Sequence, residues 1–259
     1  MFKNEFKRAI TRNSTLIVLL IGILLAIGNV INNNVVQLPK DEYWDYPFGV
    51  FTWWFMYDQD TYKSLIITIF PLMVAAAYSD SYMEDVKTGF IKNLITRYSK
   101  KKYLTIRFLT NFLMGGIILT IPFIFNLLLY LLLIPNIEPN IFYGAEVVKN
   151  FLPHLYYSSP IVHAFIKLLI CFIYGGLFSS IALIVSIFTK NRITIIVAPL
   201  LVFQIVELLV TSLKLSKLSS LNIMFYDVPY SSYIFLVPLV FLIVLFSCFF
   251  IRGIYHEDF

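Results

Sequence analysis

The chain has 259 residues, 59% of them hydrophobic and only 14% charged, with a mean hydropathy of +0.80. Soluble domains carry about 25% charged residues, so this composition excludes a soluble globular protein and points to an integral membrane protein. The net charge of +5 is read by position: Lys and Arg gather on the inner side of spans, so the excess is no sign of a nucleic-acid partner.

At the start, Phe2, Phe6, Ala9 and Ile10 share a helical face opposite Lys3, Lys7, Arg8 and Arg12. This predicts an amphipathic helix lying flat at the membrane surface, with a disordered basic terminus as the alternative. A span needs about 20 mostly apolar residues, and six segments qualify: 14–31, 64–80, 106–134, 161–188, 193–213 and 231–251. The first resembles a signal peptide, but no small-residue cleavage site follows Ile31, so it is read as a retained anchor. The third and fourth are longer than needed and are expected to tilt, or to kink at Pro122 in the third. An inside N-terminus leaves only Lys40, Lys63, Lys149, Lys167, Lys214 and Lys217, of 20 Lys and Arg residues, on the outer side. Both termini are therefore expected inside.

Between the spans, residues 32–62 carry Trp44, Trp53 and Trp54 with many Tyr and Phe, which fits either an aromatic belt at the headgroups or a surface that meets cargo. Residues 82–107 form a basic amphipathic segment. Met83, Val86, Phe90, Ile91, Leu94, Ile95 and Tyr98 recur at helical steps, opposite Glu84, Asp85, Lys87, Lys92, Asn93 and Arg97. Such a helix lies on the inner surface and offers an apolar ridge to a soluble partner; alternatively it only stabilises the topology. In 214–230, Leu218, Leu221 and Phe225 share a face away from Lys214, Lys217, Ser219 and Asn222, which predicts a short outer helix before the last span. The expected fold is all-α: six transmembrane helices, a flat N-terminal helix, a helix between spans two and three, and a short outer helix. No repeat divides it, so 1–259 is one domain.

Catalytic signals are missing. No Walker A pattern occurs, so the chain cannot hydrolyse ATP alone. His154, His163 and His256 are scattered, and no cluster has metal-ligand spacing. Cys171 and Cys248 fall inside spans and are expected as core thiols. Glu207 is the only carboxylate well inside a span and shares a face with Gln204. A charge at membrane depth is costly, so Glu207 should bond a neighbouring span or a lysine, or else serve cargo or protons. Gly175, Gly176, Ser179 and Ser180 form small-xxx-small steps suited to close helix packing, within the protomer or across a dimer seam. Asn126 suits a hydrogen bond between helices.

Taken together, these features resemble the permease subunit of ABC-2 type transporters. The motif-like part runs from Asp85 to Lys100, where Asp85, Gly89, Leu94, Ile95, Ser99, Lys100 and Tyr103 fit the family pattern; Tyr98 and a spacing about one residue short depart from it. The resemblance implies a cytoplasmic coupling helix with apolar contacts at Phe90, Leu94 and Ile95 and polar ones at Asp85, Lys92 and Arg97. It further implies two cytosolic ATPases that bind ATP and Mg, a second permease, identical or homologous, and alternating access in a bacterial plasma membrane. Hydrophobic or amphipathic cargo is expected, a peptide such as a bacteriocin ahead of lipid or drug. The competing readings are a non-transporting scaffold or sensor, and a secondary transporter.

Overall fold

The computed structural model describes residues 1–32, 50–54, 61–134, 136, 138, 139, 148, 150–225 and 233–255. Within these the fold is all-helical, and six helices are long and apolar enough to cross a membrane. The spans are α2 (Asn13–Ile31), α4 (Thr61–Tyr78), α7 (Lys100–Leu133), α9 (Pro160–Phe188), α10 (Arg192–Ser212) and α12 (Tyr233–Tyr255). They match the predicted segments to within a few residues, except that α7 begins six residues early. That helix runs through Pro122 without interruption, and its 34 residues extend about 50 Å. The basic first turns, Lys100 to Arg107, take up about 12 Å of that length. The short helices are α1 (Phe2–Ile10), α3 (Val50–Trp53), α5 (Ser81–Lys87), α6 (Phe90–Ile95), α8 (Pro153–Ser158) and α11 (Ser220–Phe225).

The bundle is built around α7 and α9, its most extensive helix pair. Gly115 and Gly175 face each other so closely that a Cβ on either would stand 2.6–2.7 Å from the other's carbonyl oxygen, and Phe112 and Phe172 fill the spaces over Gly176 and Gly116. Removing side chains at the crossing lets the backbones approach and gain dispersion contacts, the main attraction between helices in lipid. The Gly175/Gly176 steps thus pack within the protomer. Ser179 and Asn111 add polar ties: Asn111 Nδ2 donates to the Ser179 carbonyl at 2.9 Å, and Ser79 donates to Asn111 Oδ1 at 3.0 Å. Ser180 instead bonds back to the Gly176 carbonyl on its own helix. Asn126 makes the expected link, donating to the Ala26 carbonyl and to Asn29 Oδ1.

A cluster of edge-on aromatic rings, Phe70, Phe178, Phe203 and Phe225, joins α4, α9, α10 and α11 with centroids 5.2–5.8 Å apart. Phe225, expected on an interfacial helix, is therefore in the core. Trp54 is also fully buried, its indole donating to the Phe123 carbonyl at 3.0 Å. That part of the aromatic outer segment dips into the bundle; Trp44 and the other residues of 33–49 and 55–60 lie outside the described residues. Cys171 is buried as expected, whereas Cys248 sits on the outward face of α12, because the neighbouring Leu245 and Phe249 take the inward positions.

Candidate functional site

The most concentrated chemistry lies at the end of the bundle that carries the N-terminus and the last turn of α12, where Lys100 Nζ at the start of α7 donates to the carbonyl of Ile254. Helix α1 lies across this end. Ala9, with no side chain to hold it off, packs against Tyr78 and Met114. The Thr15 hydroxyl bonds the Ala9 carbonyl at 2.8 Å and the Ala77 carbonyl at 3.0 Å. Ala77 is in the last turn of α4, so this satisfies a carbonyl left without a helical partner. Phe2 and Ile10 stay exposed, at 38% and 41%, whereas Ala9 and Phe6, expected on the same apolar face, turn into the bundle. The inward face holds a residue the sequence reading passed over, Glu5, which is buried.

Eight charged side chains meet here in two neutral quartets. In the first, Arg107 is fully buried on α7 and pairs with Glu5 and, at 2.9 Å, with Asp85 Oδ2. Arg8 reaches Asp85 Oδ1 at 2.7 Å, the Tyr103 hydroxyl donates to Asp85 Oδ2 at 3.0 Å, and the Tyr78 hydroxyl donates to Glu5. The Arg107 guanidinium also lies 4.9 Å from the Tyr78 ring centre, a cation–π contact. In the second quartet, Arg12 grips Asp80 with both terminal nitrogens (2.6 and 3.0 Å) and reaches Glu84 at 2.5 Å, while Arg192 Nε reaches Asp80 at 2.8 Å. Four cations meet four anions, so neither quartet leaves net charge. Burial pulls the Arg8 guanidinium down, but the hydrogen bond and charge of Asp85 outweigh it, and its pKa stands above the ordinary value.

The two carboxylates at the centres of these quartets, Asp80 and Asp85, sit at the α4–α5 junction and on α5. They therefore bind α5 to α1, α7 and α10 at once. This overturns the expected role of Asp85 as a polar contact for a partner: it is wholly buried and already shared by Arg8, Arg107 and Tyr103. The amphipathic segment 82–107 is also not one helix. It breaks at Gly89, whose φ of 68° is left-handed, a conformation glycine adopts without strain. Helix α5 ends there, α6 begins there, and α7 starts separately behind Ser99, whose hydroxyl caps Lys102 N at 3.4 Å.

Helix α6 is the part left facing outward. Ile91 anchors it in the core, and Leu94, expected at a partner's surface, is half-buried and packs on the same core. Phe90, Lys92 and Asn93 are exposed, as are Arg97 and Tyr98 just beyond the helix. Ile95 closes α6, and its side chain lies outside the described residues. Phe90 is stacked beneath the Arg8 guanidinium at 5.3 Å, so the exposed ridge is coupled directly to the first quartet.

At the opposite end, Glu207 accepts from the Ser219 and Ser220 hydroxyls, each at 2.6 Å, and from the Leu221 amide at 3.0 Å. Its carboxylate caps α11, so its partners are the outer segment itself rather than a neighbouring span or a lysine. Gln204 stays exposed on the outer surface of α10, in an open groove with Glu207. Among the described residues no group of His, Cys, Asp and Glu is placed to hold a metal ion.

The quartets are what sequence reading missed. Their signal was present in Arg107, a charge at the edge of an apolar span that must find a partner, and in the four-residue spacing of Arg8/Arg12 and Asp80/Glu84 on facing helices.

The fold and this site define a multi-pass, all-helical membrane protein that carries an ion-locked helical platform at one end. Comparison with known families, with characterised proteins and with solved structures finds no match to this chain.

Proposed function

We propose that the chain is the permease subunit of an ATP-driven exporter of the ABC-2 type, with α6 as the helix that meets a cytosolic ATPase. The observation that carries this reading is the pairing of an exposed apolar and basic ridge (Phe90, Lys92, Arg97, Tyr98) with a buried ionic platform beneath it. The platform ties α5 to α1, α7 and α10, and α5 passes directly into α6. A surface helix that served only as membrane padding would need no such anchoring. In this reading the end that carries the N-terminus is cytoplasmic, in line with its basic residues, and the membrane is a bacterial plasma membrane. ATP and Mg bind to two partner ATPase chains, no reaction is catalysed here, and a second permease completes the pathway. Cargo is hydrophobic or amphipathic, a peptide before a lipid or drug, because the spans are predominantly apolar, with Lys63, His163 and Lys167 buried near the ends of α4 and α9 that lie away from the ionic platform.

The test is affinity purification of the tagged chain in mild detergent from cells expressing its genomic neighbours. Wild type should retain an ATP-binding subunit in near-equal amount. Phe90→Glu combined with Arg97→Glu, both exposed, should lose it while the chain remains inserted. Normal recovery of the ATPase with the double variant, or recovery of wild type without any ATPase, refutes the reading.

A further inference from the structure

Helices α10 and α12 flank α9 and both pack on it, leaving a crevice of about 140 Å³ between them. Tyr174, Phe178 and Ile181 of α9 form its buried floor; Val206 of α10 and Val237 and Phe241 of α12, each about 40% exposed, form its lips. Leu218 and Ser220, from the outer segment, close its upper end. We propose that this crevice binds one acyl chain of an anionic phospholipid from the leaflet opposite the N-terminus.

Three observations narrow the occupant. The walls are almost wholly apolar: of the lining groups only Tyr174 and Ser220 carry polar side chains, and the Ser220 hydroxyl is already donated to Glu207 at 2.6 Å. A bound water needs two to four polar partners, whereas a dry apolar cavity of about 150 Å³ readily takes a hydrocarbon. The shape is elongated, since Tyr174 to Ile181 covers about 10 Å of helix, which suits a linear chain more than a single side-chain knob. The lips are bulky Val and Phe residues, on two spans that leave most of their surface exposed. Helices that dock closely in lipid use small residues at such places, so the shape favours a lipid chain over a helix of a second copy. Hydrocarbon in the crevice restores the dispersion contacts that an empty gap forfeits.

The headgroup preference comes from the rim. Lys214 and Lys217 are exposed just ahead of Leu218, while the nearby Glu207 carboxylate is engaged by Ser219, Ser220 and the Leu221 amide. With two exposed lysines against the one carboxylate, the outer segment that supplies Leu218 and Ser220 to the crevice is net positive, which attracts an anionic headgroup near a membrane surface. This inference is independent of the exporter reading.

The test uses the full chain in nanodiscs doped with a phosphatidylglycerol probe carrying a diazirine on its acyl chain, with adducts mapped by mass spectrometry. Adducts should concentrate on 174–181 and 237–241, at least fivefold above the exposed α2 residues Leu16–Leu24. Unlabelled phosphatidylglycerol should displace the probe at a lower mole fraction than phosphatidylcholine. Val206→Trp should fill the crevice and remove these adducts. Lys214→Gln with Lys217→Gln, both at exposed positions, should keep them but equalise the two competitors. Even labelling over α2, adducts that survive Val206→Trp, equal competition in wild type, or crosslinking of Val237→Cys to a second copy would each overturn the proposal.

Discussion

Replacing Arg107 and Glu5 with methionine, singly and together, tests whether the first quartet holds α1 to the bundle. Arg107 Nη2 stands 2.9 Å from Asp85 Oδ2, and at an effective dielectric near 20 that pair alone attracts by about 6 kcal/mol. The Glu5 pairing is at least as close. Bringing each ion out of water costs several kcal/mol, so the pairs approach break-even against apolar replacements, whereas removing one partner strands the other and costs about 3–5 kcal/mol. Arg107→Met leaves Glu5 with Tyr78 and a distant Arg8 at 4.0 Å, and Glu5→Met leaves Arg107 with Asp85 as its one carboxylate, beside the Tyr78 hydroxyl and ring. Each single variant should lose about 3 kcal/mol, and the double variant should lose less than the sum by about 2 kcal/mol. The assay is unfolding in mixed micelles by SDS titration, followed by tryptophan fluorescence, to which the buried Trp54 contributes. Losses that add to within about 0.5 kcal/mol would mean that Arg107 and Glu5 act independently, and the quartet would not be a unit.

Gly115→Ala places a methyl 2.6 Å from the Gly175 carbonyl, so α7 and α9 must separate; a loss of about 1–3 kcal/mol is expected in the same titration. Glu207→Gln keeps an acceptor but removes its charge from two hydroxyls and an amide, and should cost about 1–2 kcal/mol, with faster hydrogen exchange over 219–223 and little change in α1. Lys214 has a φ of 56° and occupies the left-handed position after α10, where its amide bonds Thr211 and the Leu215 amide bonds Val210. Glycine adopts this conformation without a Cβ penalty, so Lys214→Gly should raise stability by about 0.5–1 kcal/mol, as read by thermal denaturation in detergent.

The spans were legible because a bilayer demands length and apolarity, both linear properties of the sequence. Span boundaries slipped where charged residues belong to a helix but not to the hydrocarbon, as with Lys100 to Arg107. The break at Gly89 escaped the period because Val86, Phe90 and Leu94 keep helical spacing across it; a left-handed glycine resets the helix direction while leaving the pattern of residue types intact. The role of Asp85 was inverted for a related reason. Facing away from an apolar stripe on a surface helix means facing solvent only if nothing else packs there, and α1 packs there. Glu207 was readable as a costly charge, but its partners lie 12–14 residues onward on a segment that returns to α10, a fact of tertiary geometry.

The placement of the quartets decides how this end of the molecule responds to force. A push on α6 is carried by the buried Ile91 and the Phe90 ring against Arg8 as well as by the turn at Gly89. It reaches α5, which Asp85 and Asp80 hold to α1, α7 and α10 through guanidinium pairs that cannot part without exposing buried charge. Gly115 against Gly175 then locks α7 to α9. Displacement of α5 is thus shared by spans α4, α7, α9 and α10, while α12 is engaged through its packing on α7 and α9. A single helix tilting alone would break at least one quartet, at about 3–5 kcal/mol per stranded ion, more than one surface contact supplies. Movement of these four spans as a group is the cheaper response.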